Sequence, residues 1–307
     1  MASIVHMGYV GSCAIGKMGG ALNPFFITGS SLNPVQELNV PELVQGRYTP
    51  YLWNWGKIET GGNVTGPVFE GAAGMGSGGM FQWAAQRSTM LDHMTRKDLE
   101  VDIAYYKGVG RKFTNVSINS FEVTVTAGDV ANFTVDFMGA GSAGAGGSAA
   151  YDLSGSAGSA TRLVTWDICS FTGYGGSGAI QGFNFTLANN LQRAYAVGAP
   201  HGEGYAPFDV VAGIQKLTGT LTVYAGEAPG MNDSADNWGT STAAGTTCSF
   251  IIGSGAAGGG NVIDSGNFQA LLKRAQASAK TDTTTYTVDY QAIAFDGSAG
   301  GFAPSDT

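Results

Sequence analysis

The sequence predicts a mainly β protein, a β-sandwich or barrel with one α-helix packed against it and extended loops. Two alternating segments, Phe121-Glu-Val-Thr-Val and Phe133-Thr-Val-Asp-Phe, are joined by Thr126-Ala-Gly-Asp and read as a hairpin. Strands of the same kind return at Phe183-Asn-Phe-Thr-Leu, Leu221-Thr-Val-Tyr and Tyr286-Thr-Val-Asp-Tyr. Many of the 49 glycines fall in runs such as Gly253-Ser-Gly-Ala-Ala-Gly-Gly-Gly260, which read as loops between strands.

Residues 1–60 carry Pro24, Pro34, Pro41 and Pro50, each of which removes a ladder donor, so extended segments and long turns are expected there. The aromatic cluster from Tyr48 to Trp55 reads as core or as a buried subunit contact rather than a ligand platform. A short strand is expected over 62–70 and a short helix over 78–87, with Met80, Phe81 and Ala84 on one side. From Leu99 the chain alternates, with Leu99, Val101 and Ile103 on the core side and Glu100 and Asp102 on the solvent side. In the hairpin, Phe121, Val123, Val125, Phe133, Val135 and Phe137 form the oily face.

A low-complexity loop, 139–160, separates this half from a second set of strands over 179–187, 213–224 and 286–295, entered through 162–171. A helix is expected over 267–280, because Phe268, Leu271, Leu272 and Ala275 recur at helical spacing. Asp264 or Ser265 would cap it, and Lys280 suits its negative end.

Charged residues make up 12% of the chain, about half the roughly 25% usual for globular domains. So few charges imply that other subunits cover much of the surface. The net charge of −8 argues against a conventional nucleic-acid binder, which needs basic side chains to displace counterions. An acidic wall is nevertheless compatible with DNA moving past it, since like charges prevent sticking. Cys13, Cys169 and Cys248 are odd in number and far apart, so free, mostly buried thiols are expected. No secretory signal and no apolar run long enough to span a bilayer is visible.

Motifs that carry chemistry are weak. Gly74-Met-Gly-Ser-Gly-Gly79 matches a dinucleotide-binding pattern, but on the order of one such match arises by chance in so glycine-rich a chain. His6, His93 and His201 lack metal-sharing spacing, and Gly175-Gly-Ser-Gly-Ala179 lacks the last glycine of a nucleophile elbow. Asp98, Glu100 and Asp102 read as the solvated side of a strand, and Lys107, Arg111 and Lys112 as a solvated turn, or one that touches phosphate or an acidic neighbour. The Asn-x-Ser/Thr triplets at Asn63, Asn115, Asn132, Asn184 and Asn232 follow from threonine and serine enrichment in strands and turns. No catalytic, cofactor-binding or metal-binding residue is assigned, and no enzyme activity is expected.

The order of motifs resembles a bacteriophage tail tube protein. The succession runs from Gly62-Asn-Val-Thr-Gly through Met80-Phe81 and Tyr106-Lys-Gly-Val-Gly to Val116-Ser-Ile-Asn-Ser-Phe-Glu-Val-Thr-Val and Val130-Ala-Asn-Phe-Thr-Val-Asp-Phe-Met-Gly. It continues through Val164-Thr-Trp-Asp-Ile, Ile180-Gln-Gly-Phe-Asn-Phe-Thr-Leu and Ile214-Gln-Lys-Leu-Thr-Gly-Thr-Leu-Thr-Val-Tyr to the terminal helix and strand, covering about residues 60–297. The resemblance implies a structural virion protein of the phage tail, assembled in the host cytoplasm. Its partners would be itself, as hexameric rings that stack into a hollow conduit for DNA, and other tail proteins such as terminator, baseplate or sheath. It also implies a division into an N-terminal extended region, 1–60, and a tail tube β-sandwich domain, 61–307. The arm that reaches the next ring is placed in 20–60 or around 87–107. The alternatives are another β-rich assembly protein, such as an injection-system tube, a capsid decoration or a surface-layer subunit, and a carbohydrate-binding sandwich.

Overall fold

The computed structural model describes residues 11–17, 22–39, 54–70, 80–85, 99–106, 109–139, 162–173, 180–195, 207, 209–211, 213–224, 246–253, 263–279 and 284–293. The first strands are β1 (Gly11–Lys17), β2 (Asn23–Ile27), β3 (Gly29–Ser30), β4 (Asn33–Asn39), β5 (Asn54–Pro67) and β6 (Phe69–Glu70), followed by helix α1 (Met80–Ala85). Then come β7 (Leu99–Tyr106), β8 (Val109–Thr126), β9 (Asn132–Gly139), β10 (Arg162–Leu163), β11 (Cys169–Thr172) and β12 (Ile180–Ala188). Two short strands, β13 (Gln192–Ala194) and β14 (Asp209–Val211), precede β15 (Lys216–Tyr224), β16 (Thr246–Ile252), β17 (Ile263–Asp264), β18 (Phe268–Ala279) and β19 (Thr284–Ala292).

Strand β8, 18 residues long, organises the rest. Val116 pairs with both Leu99 and Gly139, and Ser120 with both Ala188 and Asp136. A strand residue has only two lateral neighbours, so β9 lies on one edge of β8 while β7 and then β12 share the other. Between the pairs Leu99 with Val116 and Val101 with Phe113 the register slips, and Asn115 there adopts φ 55. Asparagine tolerates the left-handed region well, and such a bulge bends the strand.

The first half of β8 belongs to a closed ring of strands. β8 pairs β7, β7 pairs β1, and β1 pairs β2, which runs through Thr28 into β3; β3 pairs β5, β5 pairs β9, and β9 returns to β8. Closure removes the unpaired edges that make open sheets sticky. Ile15, Phe25, Val64, Val101 and Phe133 are buried in its core, with the Phe25 and Phe133 rings 5.9 Å apart.

The second half of β8 opens a curled sheet in the order β8, β12, β15, β19, β18, β16, β11. It folds back on itself, because Phe250 of β16 stacks on Phe185 of β12 at 4.3 Å and Phe171 of β11 meets Phe183 at 5.5 Å. Helix α1 closes this core with Phe81, whose ring lies 5.7 Å from Phe121 and 5.8 Å from Phe185. Two buried amides, Asn189 and Gln215, donate to the Ala84 carbonyl at the end of the helix. Both cores join in one apolar cluster, as the β-sandwich or barrel reading requires.

The helix expected over 267–280 is a strand. β18 pairs with β19 from Ala270 opposite Ala292 to Ala279 opposite Thr284, with an irregularity between Leu272 and Arg274 that leaves Lys273 over. Positions 268, 270 and 272 therefore share a face with 275, 277 and 279, the bulge shifting the phase by one residue. Strand alternation with one skipped residue produces apolar spacings of four and seven, which imitate a helix. The expected caps serve the turn instead: Gly266 N–H donates to Asp264 Oδ1 and Phe250 N–H to Ser265 Oγ, each at 2.8 Å.

The segment expected to be an extended N-terminal region contributes β1 to β4 to the main sheet, and residue 60 lies inside β5. Glu100 and Asp102 do not face solvent, since residues 99–103 are all buried. The loop beyond Gly139 and most of the Tyr48 to Trp55 cluster lie outside the described residues.

If Lys273 is a bulge residue, deleting it keeps every β18 to β19 pair and leaves the melting midpoint within a few degrees. Deleting Ala275 pushes Gln276 opposite Val288 and lowers the midpoint by roughly 5 °C or more. In a helix both deletions would rotate the downstream face equally, so thermal denaturation of the two variants distinguishes the structures.

Candidate functional site

The alternation that buries the phenylalanines turns a second set of side chains outward. Residues Thr65, Thr134, Glu122, Thr186, Thr218 and Gln291 stand opposite one another across β5, β9, β8, β12, β15 and β19. The neighbouring row is Asn132, Thr124, Asn184, Thr220 and Asp289. Hydroxyls and amides thus cover one face of six strands, a composition that resists apolar contact without adding much charge.

Three carboxylates, Glu122, Asp136 and Asp289, punctuate this face. Asp136 accepts from Asn119 Nδ2 at 2.7 Å. Lys216 stands in the row with Asp136 and Ser120, Arg193 lies beyond it against Gly61, and at the other side of the face Arg274 of β18 is the register partner of Asp289. An open depression of about 410 Å³ on this face is lined by Thr124, Gln181, Asn184, Thr220 and Thr222, with Tyr224 and Phe183 among its apolar members.

A second feature lies where β5 leaves the sheet. β9 pairs β5 only from Thr60 onward, opposite Gly139, whereas residues 54–59 pair with β4 alone among the described strands. β4 and the start of β5 therefore form a two-stranded ribbon running past the end of β9. Residues 35–38 are all exposed, including Val35 at 61% and Leu38 at 54%. Apolar side chains on an unpaired strand edge mark a contact surface.

The root of the ribbon is heavily pinned. Gly62 has φ +137, and a Cβ there would lie 2.5 Å from the Ser31 carbonyl. Ser31 Oγ accepts from Asn63 N–H at 2.9 Å and donates to Asn63 Oδ1 at 2.5 Å. Arg111 donates to the Asn33 side chain. On the other strand, Glu59 accepts from Tyr195 OH at 2.8 Å and lies 3.0 Å from Lys57 Nζ. These hydrogen bonds hold the Glu59 carboxyl below its usual range, that from Tyr195 foremost. The Tyr195 phenol is pushed up to about 12, first by burial and then by its bond to Glu59.

Other residues singled out by sequence are accounted for locally. Lys112 is paired with buried Glu100, so the acidic-neighbour reading of that basic turn holds; Lys107 and Asp98 lie outside the described residues. Cys13 and Cys248 are buried, Cys169 is half-buried, and none is in a disulfide. Burial raises the Cys13 thiol well above its ordinary value, helped by Asp102, and pushes Cys169 up to about 11. Asn184 Oδ1 accepts from Thr220 N–H at 2.7 Å, and Asn132 Nδ2 donates to the Val130 carbonyl, so these triplet asparagines serve strands and turns. The three histidines, the Gly74 to Gly79 motif, the Gly175 to Ala179 stretch and Asn232 lie outside the described residues.

Sequence reasoning missed the Glu59, Arg193 and Tyr195 cluster. Its signal was a pair of short alternations, Lys57-Ile-Glu59 and Arg193-Ala-Tyr195, each presenting two polar groups on one strand face. Among the described residues no three His, Cys, Asp or Glu side chains stand together as metal ligands, and no helix is long and apolar enough to cross a membrane.

A protein-family model described as phage tail tube protein matches residues 8–292, nearly the whole chain, and no curated protein matches it.

Because Tyr195 keeps its proton longer in the folded than in the unfolded chain, its contribution is complete below about pH 10 and is lost as pH rises toward 12. Glu59 acts in the opposite sense: its contribution is present above the ordinary carboxyl range and fades as acid protonates it. Melting curves across pH should therefore fall more steeply between 10 and 12 for the native chain than for Tyr195→Phe, with little difference at pH 7 beyond a constant offset.

Proposed function

The chain belongs to the phage tail tube protein family, which makes it a structural component of the virion tail, and on that premise we propose that it assembles into hexameric rings that stack into a DNA conduit. The observation that carries this reading is the face of six strands that buries aromatics on one side and presents threonine, asparagine and three carboxylates on the other. Such a face, repeated around a ring, offers passing DNA hydroxyls with which to exchange hydration. It offers no run of bases to displace counterions from phosphates. The net charge of −8 adds a weak repulsion that keeps a polyanion sliding.

Stacking is assigned to the ribbon of β4 and residues 54–60, which narrows the proposed N-terminal arm to its exposed part. Of the alternative placement around 87–107, residues 99–106 form β7 within the ring of strands, and 87–98 lie outside the described residues. Val35 and Leu38 would lose their exposure against the next ring. The remaining partners are the proteins at the two ends of the tube, such as terminator and baseplate, and a sheath where the tail contracts. Subunits accumulate in the host cytoplasm before assembly. The role is structural, and no residue is assigned to catalysis or to a cofactor.

Negative-stain electron microscopy of the purified protein over a concentration series tests the reading. Rings or hollow tubes with a bore wide enough for duplex DNA are expected, and a homogeneous monomer at every concentration would overturn it. The double variant Glu122→Lys, Asp289→Lys should still form tubes. Its tubes should retain duplex DNA in sedimentation at low salt about tenfold more than native tubes, and the difference should vanish as salt rises. Equal retention at low salt would remove these two residues from the bore.

A further inference from the structure

The strand β5 leaves the sheet at a single residue, and one side chain is seated there. Thr60 is the last residue of β5 opposite β9, and Arg193 Nη2 donates to its carbonyl oxygen at 2.7 Å. The adjoining Gly61 leaves room for the seat: a Cβ at that position would lie 2.8 Å from Arg193 Nη2, and the guanidinium would have to shift from its place across the strand. On the other side of Thr60, Glu59 Oε2 is 3.6 Å from Arg193 Nη1. Backbone carbonyl and carboxylate are thus held by two arms of one planar fork, a task for which a lysine is the wrong shape.

The base of that fork is tied to the main sheet. Arg193 lies in β13, which pairs β14 and is fixed to the sheet through Leu191 N–H donating to Asn119 Oδ1 at 3.0 Å. Leu191 and Val210 pack with Met138, the residue opposite Gly61 on β9. Tyr195, two residues along, holds the same Glu59 carboxylate.

We infer that Arg193 is a positioning residue for assembly: it clamps β5 where the strand leaves the sheet and so sets the direction in which the ribbon of β4 and residues 54–59 extends. The clamp follows from contacts within one subunit; its importance for tube growth rests on the stacking role proposed for the ribbon. A two-stranded ribbon with no third strand is marginal by itself and swings unless its root is held.

Hydrogen exchange on the unassembled full-length subunit tests the clamp. In Arg193→Ala, amides of 33–39 and 54–59 should exchange about tenfold faster, while those of β8, β12 and β15 and the melting midpoint stay close to native. Arg193→Lys should fall between, since it keeps the charge near Glu59 but loses the fork. Tyr195→Phe, the milder change, should raise exchange in the same segments by a smaller factor. Native exchange in the ribbon of Arg193→Ala, or a rise spread evenly along the chain, would overturn the inference. Faster ribbon exchange accompanied by slower tube elongation supports both the clamp and the stacking role. Faster ribbon exchange with native elongation upholds the clamp and removes the ribbon from stacking.

Discussion

The structure depends on β8 being shared. An antiparallel strand has two edges, and β8 has to serve three partners: β9 along one edge, and β7 and β12 in succession along the other. Its length of 18 residues makes this possible. The left-handed Asn115 and the slip of register around it bend the strand between its two roles. Every other element takes its place from this arrangement. β7 leads to the closed ring, β12 leads to the curled sheet, and β9 passes the order on to β5 and the ribbon. A chain that loses pairing at the centre of β8 loses both halves together, because the two cores belong to one apolar cluster.

Closing one half and curling the other leaves few places for association, and this matters for a protein with so little charge. Where only 12% of residues are charged, solubility of the free subunit depends on burying strand edges. The ring of strands pairs most of its edges. Exposed apolar groups on described strands stand at margins, as Val35 and Leu38 of the ribbon and Val211 of β14 do, and also within the curled sheet, at Tyr224 of β15 and Leu271 of β18. The broad hydroxyl face is polar over most of its area, with Tyr224 and Leu271 as the apolar side chains that interrupt it. Threonine suits that face for a second reason: its branched Cβ favours the extended backbone, so the residue that keeps the surface polar also keeps the strand straight.

Much of this was legible from alternation. Phe121, Val123, Val125, Phe133, Val135 and Phe137 are buried as their period-two spacing predicts, and the short helix at Met80 forms with Met80, Phe81 and Ala84 inward. Where the reading failed, a second layer of structure intervened. Glu100 and Asp102 alternate with apolar residues, yet neither reaches solvent, and Lys112 neutralises Glu100. Periodicity reports which residues share a face; it does not report whether the second face is covered. In β18 a one-residue bulge converted strand spacing into helical spacing, and Ala, Leu, Gln and Lys added helix propensity in the same direction. Pairing with β19 along nearly the whole strand outweighs a propensity worth only tenths of a kcal/mol per residue.

By itself the sequence determined the class of the protein: the period of two, the glycine-rich breaks and the sparse charge require sheets with one oily and one polar face. These are properties of neighbours along the chain, set by the alternation of Cβ directions. Only the tertiary structure decided how those sheets close, that residues 268–279 extend rather than coil, and that Arg193 meets the carbonyl of Thr60, 133 positions away. Contacts at such separations depend on which edges remain unsatisfied after the strong local pairs have formed. That is a property of the whole set of strands, and no window of sequence contains it.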